Sequence, residues 1–236
     1  MKVINLDKEV FEQACILCEK NFSYEEIVNI LKASNDVEKQ IAILKLTQIQ
    51  SFDDASLLVS HLTGQDGPIR EAVAVKLNEF FVNKTVMFFD DINFYSKYID
   101  AVCDVNPNIC RAVIDFLPKL NKQDEIVNIL MEKIENIYKR IDAPDVEQKN
   151  FLTVRLFNLY WTLEALGVLI SANKNLFLDA EKLSYFLTRA VAFDNYTIDE
   201  KVARIVVGSQ NFSFEAQLIA QLKNSQNFYV KRYFKH

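Results

Sequence analysis

The stretch LLVSHLTGQDGPIREAVAVKLNEFF, residues 57–81, decides the fold. It reads as two short amphipathic helices joined by Gly64-Gln65-Asp66-Gly67. Pro68 suits the first helical position of the second, where its missing N–H costs nothing. Ile69, Val73, Ala74 and Leu77 then recur at the spacing of one helical face. A pair this short cannot bury its apolar face alone, so it has to stack on neighbours of its own kind.

Composition agrees with a chain built from such pairs. The 236 residues include only 4 Gly and 4 Pro, against ordinary usage of roughly 7% and 5%. A β protein of this length needs many more turn residues, so an all-α chain follows. Hydrophobic residues make up 50%, with 18 Phe and 9 Tyr but one Trp, enough for a substantial core. The net charge of −5 argues against non-specific nucleic-acid binding, which draws on clustered Lys and Arg. The start of the chain, Met1 to Asp7, has no apolar h-region, so no signal peptide is expected. The longest apolar run, Leu159 to Ile170, contains Glu164 and is too short to cross a bilayer. The expectation is a soluble cytoplasmic protein with no membrane association.

Cys15 and Cys18 form a nominal C-x-x-C. They fall at core positions of a helical pattern that includes Val10, Phe11, Ala14 and Leu17, where free cysteines behave as small apolar residues. Neither Cys103 and Cys110 nor His61 and His236 supply a second close pair, so no metal or other cofactor is expected.

Taken in order, Lys8 to Lys20 is a first helix, and residues 1–22 form an N-terminal cap on the stack of pairs. Ser23-Tyr24-Glu25-Glu26 is a capping box opening Tyr24 to Ala33, and Val37 to Gln50 completes a first pair. Ser51 starts the second pair, which ends near Val82. Val86 to Phe94 is an apolar, aromatic connection around Asp90 and Asp91. Tyr95 to Val102 and Asn108 to Leu120 form the third pair, and Ile109, Val113 and Leu117 repeat the spacing of Ile69, Val73 and Leu77. Glu125 to Ile141 is a longer helix. Val146 to Ser171 is one long helix or two with a bend, apolar nearly all round from Phe157 to Ile170 and therefore expected at the centre of the fold. Ala180 to Phe193 pairs with Ile198 to Gly208, where Thr197 to Glu200 reads as another capping box. Phe214 to Lys223 pairs with Asn227 to Phe234. About six pairs result, each of roughly thirty to forty-five residues, a period typical of solenoids.

The stretch around Asp66, Ile69-Arg70, Val73-Ala74 and Leu77 resembles the HEAT-repeat family, whose turn Asp and following Arg form a polar ladder along the stack. The other pairs match in period but depart in residue detail: Cys110 follows Ile109, Ala203 follows Val202, and Lys231 follows Val230. Only Arg70 and Lys231 are left as ladder candidates. The resemblance implies a single domain over 1–236, a right-handed α-α superhelix of antiparallel helix pairs. An irregular helical bundle is the alternative.

For function, the resemblance implies a scaffold that binds a peptide or protein partner on its concave face, lined by the second helix of each pair, without catalysis. Exposed positions there would be Glu71, Lys76, Asn78, Arg111, Asp115, Lys201 and Arg204. Two HEAT-type enzyme families, DNA alkylation-repair glycosylases and bilin lyases, are the alternative, and a structural subunit of an assembly is a third reading. Asp90 and Asp91 read as helix-capping carboxylates more than as a general base. Tyr160 and Trp161 read as core more than as a pocket wall. Phe228 to Lys235 interleaves aromatic and cationic side chains as single-strand nucleic-acid platforms do, but also fits a last stacked helix with Val230 and Phe234 inward.

Overall fold

The computed structural model describes residues 8–84, 86–143, 149–209 and 214–234. Among them there are thirteen α-helices and no strand. They are α1 (Lys8–Glu19), α2 (Tyr24–Ala33), α3 (Asp36–Lys45), α4 (Phe52–Ser60), α5 (Gly67–Val82), α6 (Ile92–Val102) and α7 (Pro107–Phe116). After a 3-10 turn at Leu117–Lys119 come α8 (Gln123–Asp142), α9 (Lys149–Ala172), α10 (Ala180–Val191), α11 (Tyr196–Gly208), α12 (Ala216–Asn224) and α13 (Phe228–Lys231). No helix among the described residues is long and apolar enough to cross a membrane.

Local chemistry sets most of the boundaries. Ser23 accepts from the Glu26 amide at 3.2 Å while the Glu26 carboxylate accepts from the Ser23 amide at 2.8 Å, the reciprocal capping box. Ser51 caps α4 through the Asp54 amide, and Pro68 sits in the first turn of α5. Asp91 accepts from the Asn93 amide at 2.8 Å at the start of α6, as a capping carboxylate does. Several boundaries and faces differ from the sequence expectation: α6 starts at Ile92, inside the expected 86–94 connection, and α13 ends at Lys231, short of the expected Phe234. The helix expected to reach Gln50 ends at Lys45: Leu46 turns extended, and the Gln50 amide beyond it donates to the Tyr24 hydroxyl instead of continuing the helix. Pro118 converts the end of the expected 108–120 helix into a 3-10 turn. Thr197 is not a helix cap; Asn195 is, accepting from the Thr197 amide at 3.0 Å and its hydroxyl at 2.7 Å. Cys15 and Cys18 are exposed rather than core, since Leu17 and Ala14 provide the partly buried edge of α1. Val146 lies outside the described residues; from Lys149 the long segment is one continuous helix.

The chain divides into two compact units. The first holds the residues up to Ala101 together with Asn106–Val113. Here α2 and α4 run parallel: Tyr24 donates to Asp54 at 2.7 Å and the His61 ring meets the Leu31 carbonyl at 2.9 Å, contacts at opposite ends of the helices with the same sequence separation of 30. α3 packs on α5. Leu58, Leu62, Ile69, Val73 and Leu77 are fully buried, each such leucine or isoleucine contributing about 1.5–3 kcal/mol by leaving water. The 86–91 connection turns Phe89 inward, stacked on Phe80 at 5.3 Å, and its carbonyl takes the Tyr98 hydroxyl at 2.9 Å.

The second unit holds Val102–Val105 and everything from Ile114 on. α8 and α9 form an antiparallel hairpin, with Asn173 at the end of α9 donating to Gln123 at the start of α8. α10 returns parallel to α8: Lys182 pairs with Glu135 at 2.8 Å, Tyr138 donates to the Phe186 carbonyl at 2.7 Å, and Arg189 pairs with Asp142. α11 packs along α9, and α13 along α11. Alternate helices therefore share a row. Leu159, Leu163, Leu166 and Leu169 place the inner side of α9 at the centre of this unit.

Candidate functional site

The row α9–α11–α13 carries the clearest concentration of chemistry. α9 and α11 are parallel, and at their C-terminal halves a glycine of each faces the other helix. A Cβ on Gly167 would lie 3.4 Å from Ile205 Cγ1, and one on Gly208 would lie 3.4 Å from Ile170 Cγ2. Toward their N-terminal halves two adjoining pockets open. The first, about 430 Å³, is apolar, walled by Leu156, Phe157, Tyr160 and Trp161 with Thr153, Asn195 and Thr197 at its edges. The second, about 270 Å³, is polar and charged, bounded by Glu200, Lys201 and Arg232 among the rings of Tyr160, Tyr196 and Tyr229 and beside Thr197. Tyr160 and Thr197 border both.

A network of ion pairs joins the three helices beneath the second pocket. Lys201 bridges two carboxylates, Glu164 of α9 at 3.0 Å and Glu200 of its own helix at 2.5 Å. Arg204 pairs with Glu164 at 2.9 Å. Glu200 also accepts from Arg232 at 2.8 Å and from the Tyr233 hydroxyl at 2.7 Å. Lys201 lies over the Tyr160 ring at 4.9 Å and Arg232 over the Tyr233 ring at 5.0 Å. Burial alone would raise the Glu200 carboxyl, but the donors Lys201, Tyr233 and Arg232 outweigh it and hold the group below its ordinary value. Burial would lower the Lys201 ammonium, yet the bonds and charges of Glu200 and Glu164 hold it well above its ordinary value. Both partners stay charged across the neutral range. Asp199 differs: burial, reinforced by the charge of Asp194, pushes its carboxyl up to about 6. It lines neither pocket.

The positions that the sequence singles out divide by unit. Lys201 and Arg204 meet on Glu164, inside the network just described. Glu71 accepts from Asn106 at 2.8 Å and from Asn108 at 2.9 Å, and Asn108 in turn accepts from Arg111 at 3.4 Å, which gathers Glu71 and Arg111 on one edge of the first unit. Asn78 is half-buried and Asp115 exposed. Lys76 corrects the sequence expectation of an exposed face, because it is only 5% exposed. Its stem lies along α5 and its ammonium reaches Glu79 at 2.7 Å, burying methylenes while the head stays paired. Arg70 donates to the Gln65 carbonyl and Lys231 to the Gln226 side chain, each back into the turn before its own helix. Trp161 is buried as core, yet it also walls the apolar pocket.

Sequence reading misses Glu200 and the site role of Arg232 and Tyr229. The interleaved aromatic and basic residues of 228–235 are the signal that points to the last two. In the first unit a 340 Å³ pocket at Phe22, Tyr24 and Lys45 is spanned by the Lys45 ammonium, which already donates to two carbonyls. Among the described residues no group of three or more His, Cys, Asp or Glu is placed to hold a metal ion.

No family model matches the chain, and no curated protein matches it. Among solved structures, the crystal structure of an engineered protein is similar over 89% of this chain and 92% of that chain, at 12% identity and a TM-score of 0.45. A likeness at that level assigns neither a family nor an activity.

Proposed function

We propose that this chain is a HEAT-like helical-repeat binding module that takes a peptide or a segment of a protein partner on the α9–α11–α13 row, without catalysis. The observation that carries the reading is the pair of adjoining pockets sharing Tyr160 and Thr197. They lie along the second helices of successive hairpins, the row on which stacked helical repeats bind their partners. The lining includes Tyr160, Tyr196, Tyr229, Trp161 and Arg232, of the residue types enriched among the strongest contributors to binding energy at interfaces. The parallel pairing of α2 with α4, α8 with α10 and α9 with α11 supports the repeat reading over an irregular bundle.

The protonation states favour binding over chemistry. A catalytic lysine has its pKa lowered toward neutrality and a general-acid carboxyl has its pKa raised; at the pockets Lys201 and Glu200 are shifted the opposite way, and the raised carboxyl of Asp199 lines neither pocket. The network holds three cations against two carboxylates, Lys201, Arg204 and Arg232 against Glu164 and Glu200. That is short of the strongly basic face the glycosylase alternative calls for.

The test is selection of displayed random peptides on the purified protein, repeated on Leu156→Arg, which places a charge in the apolar pocket, and on Val154→Arg, an exposed position of α9 outside both pocket linings. Enriched peptides that bind wild type and Val154→Arg but not Leu156→Arg are expected. Enrichment indifferent to Leu156→Arg, or none at all, overturns the reading.

A further inference from the structure

We infer that the segment taken by the α9–α11–α13 groove is an acidic one: a large apolar side chain enters the pocket walled by Leu156, Phe157 and Trp161, and a neighbouring carboxylate settles over Arg232. This deepens the binding reading above and rests on it.

The groove shows some of its charges and hides others. The side chains of Glu200 and Glu164 are only 10% and 20% exposed and lie under their cations. Lys201, at 12%, is enclosed between them. Arg232 is 47% exposed and Arg204 29%. The carboxylates therefore serve mainly as anchors for their cations, and the most exposed charge at the second pocket is the Arg232 guanidinium. With three cations to two carboxylates, the network is one positive charge in excess. A ligand carboxylate supplies the balancing charge in a geometry that Arg favours, its planar fork offering donors to a second acceptor beyond Glu200. A basic ligand would have to face the exposed guanidinium, while Glu200, the one carboxylate bordering the pocket, is already engaged by Lys201, Arg232 and Tyr233, so a like-charge juxtaposition that interfaces avoid would result.

The apolar half adds its own requirement. The first pocket is walled by aliphatic and aromatic carbon, and its 430 Å³ admits a side chain as large as Leu or Phe. Tyr196 and Tyr229, 56% and 54% exposed, stand at the second pocket as open ring surfaces. An exposed ring cluster of this kind, next to a cationic head, matches an aromatic or aliphatic residue flanked by Asp or Glu better than it matches a purely charged strand.

The single Trp of the chain, Trp161, walls the apolar pocket and reports on its occupation. Short capped peptides with Phe between two Asp, with Phe between two Lys, and with Ala between two Asp are titrated while Trp161 emission is followed. The expected order is acidic-Phe tightest, with the Lys and Ala versions each weaker by about tenfold or more, and an affinity for the acidic peptide that falls as salt rises. Arg232→Gln should remove the preference for Asp over Lys, and Arg232→Glu should reverse it. Because a new Glu beside Glu200 could disturb α13, the Gln variant carries the test if the Glu variant loses helix content.

Equal or tighter binding of the Lys peptide to wild type, or a preference unchanged in Arg232→Gln, overturns the inference while leaving peptide binding intact. No emission change with any peptide also overturns it, and the display selection then decides the wider reading separately. An oligothymidylate that shifts Trp161 emission at lower concentration than any peptide overturns both.

Discussion

The two units solve one problem with different chemistry. Each has to hold alternate helices in parallel register. The first does so largely with uncharged donors and single anchors: the Tyr24 hydroxyl on Asp54, the His61 ring on the Leu31 carbonyl, and two asparagine amides on Glu71. The second does so along α9–α11–α13 with a multiply connected ionic network centred on Glu200 and Glu164. A hydrogen bond from a hydroxyl, ring or amide brings no cation to the joint, so no positive charge is left at the surface. An ionic network with more cations than anions leaves a directed surplus at the surface. The same structural duty thus yields a closed joint in one unit and a charged, ring-lined groove in the other.

The sharpest way to break this comparison is to remove the shared acceptor on each side. Glu200→Ala takes away the partner of Lys201, Arg232 and Tyr233 at once and leaves a mostly buried ammonium with Glu164 alone. Removing one partner of a buried ion pair is costly, and with Glu164 retained a loss of about 2–3 kcal/mol is expected. Glu71→Ala should cost about 1 kcal/mol, since its two amide partners lie near the surface and can turn to water. Chemical denaturation gives the totals, and peptide-resolved hydrogen exchange assigns each loss to its unit. Equal losses would remove the distinction between a carboxylate paired with cations and one held by amides.

A second pair of substitutions acts on the close approach of α9 and α11. A Cβ added at Gly167 would stand 3.4 Å from Ile205 and 3.5 Å from the Arg204 stem, ordinary van der Waals distances. Gly167→Ala should therefore fit and gain up to about 1 kcal/mol from helix propensity. Gly167→Leu overfills the same space, should lose about 1–3 kcal/mol, and should also disturb Arg204 and the Glu164 pair beside it. Thermal melts of the two variants in opposite directions are the expected result. A destabilising Ala would mean the helices have no room to spare.

Much of the helix inventory is legible in the sequence because it is written locally. Ser23 with Glu26, Ser51 with Asp54, and Pro68 after a glycine-bearing turn each specify a helix start within a few residues. The hidden part lies in long-range geometry. The early end of α3 depends on a hydroxyl from Tyr24, far back in the chain. Lys76 has the helical position of a solvated residue, and only the packed structure shows its stem buried. Lys201 and Arg204 stand out by their place on a second helix, but Glu164 and Glu200, which determine what those cations do, sit in patterns that read as core or cap. Trp161 reads as core in the sequence, and the fold makes it both core and pocket wall, because one edge of a buried ring can still face a cavity.

The smallest effects expected are also the most diagnostic, because pH acts on the two units with opposite sign. In the second unit the Asp199 carboxyl is raised from 3.8 to about 6 by burial and the charge of Asp194. Its folded form binds a proton more readily than the unfolded chain does, so stability falls as pH rises from about 4 to about 6 and stays reduced above that. Asp199→Asn removes the titration and should gain about 1 kcal/mol at about pH 8, discounted for the partial exposure of the group, with no gain at about pH 4. In the first unit the buried His61 is lowered from 6.5, chiefly by burial. Its Nε2 donates to the Leu31 carbonyl, the only role that acceptor allows, while Nδ1 is buried without a partner among the described residues. The folded state keeps this ring neutral and the unfolded chain does not, so its contribution is present above 6.5 and is lost as pH falls below it. His61→Gln keeps a donor near the same place without the titration and should flatten the acid side of the first unit's profile. Hydrogen exchange across a pH series reads both units in one sample. Profiles that move in the same direction, or that ignore both substitutions, would show that these two groups do not govern the response of their units.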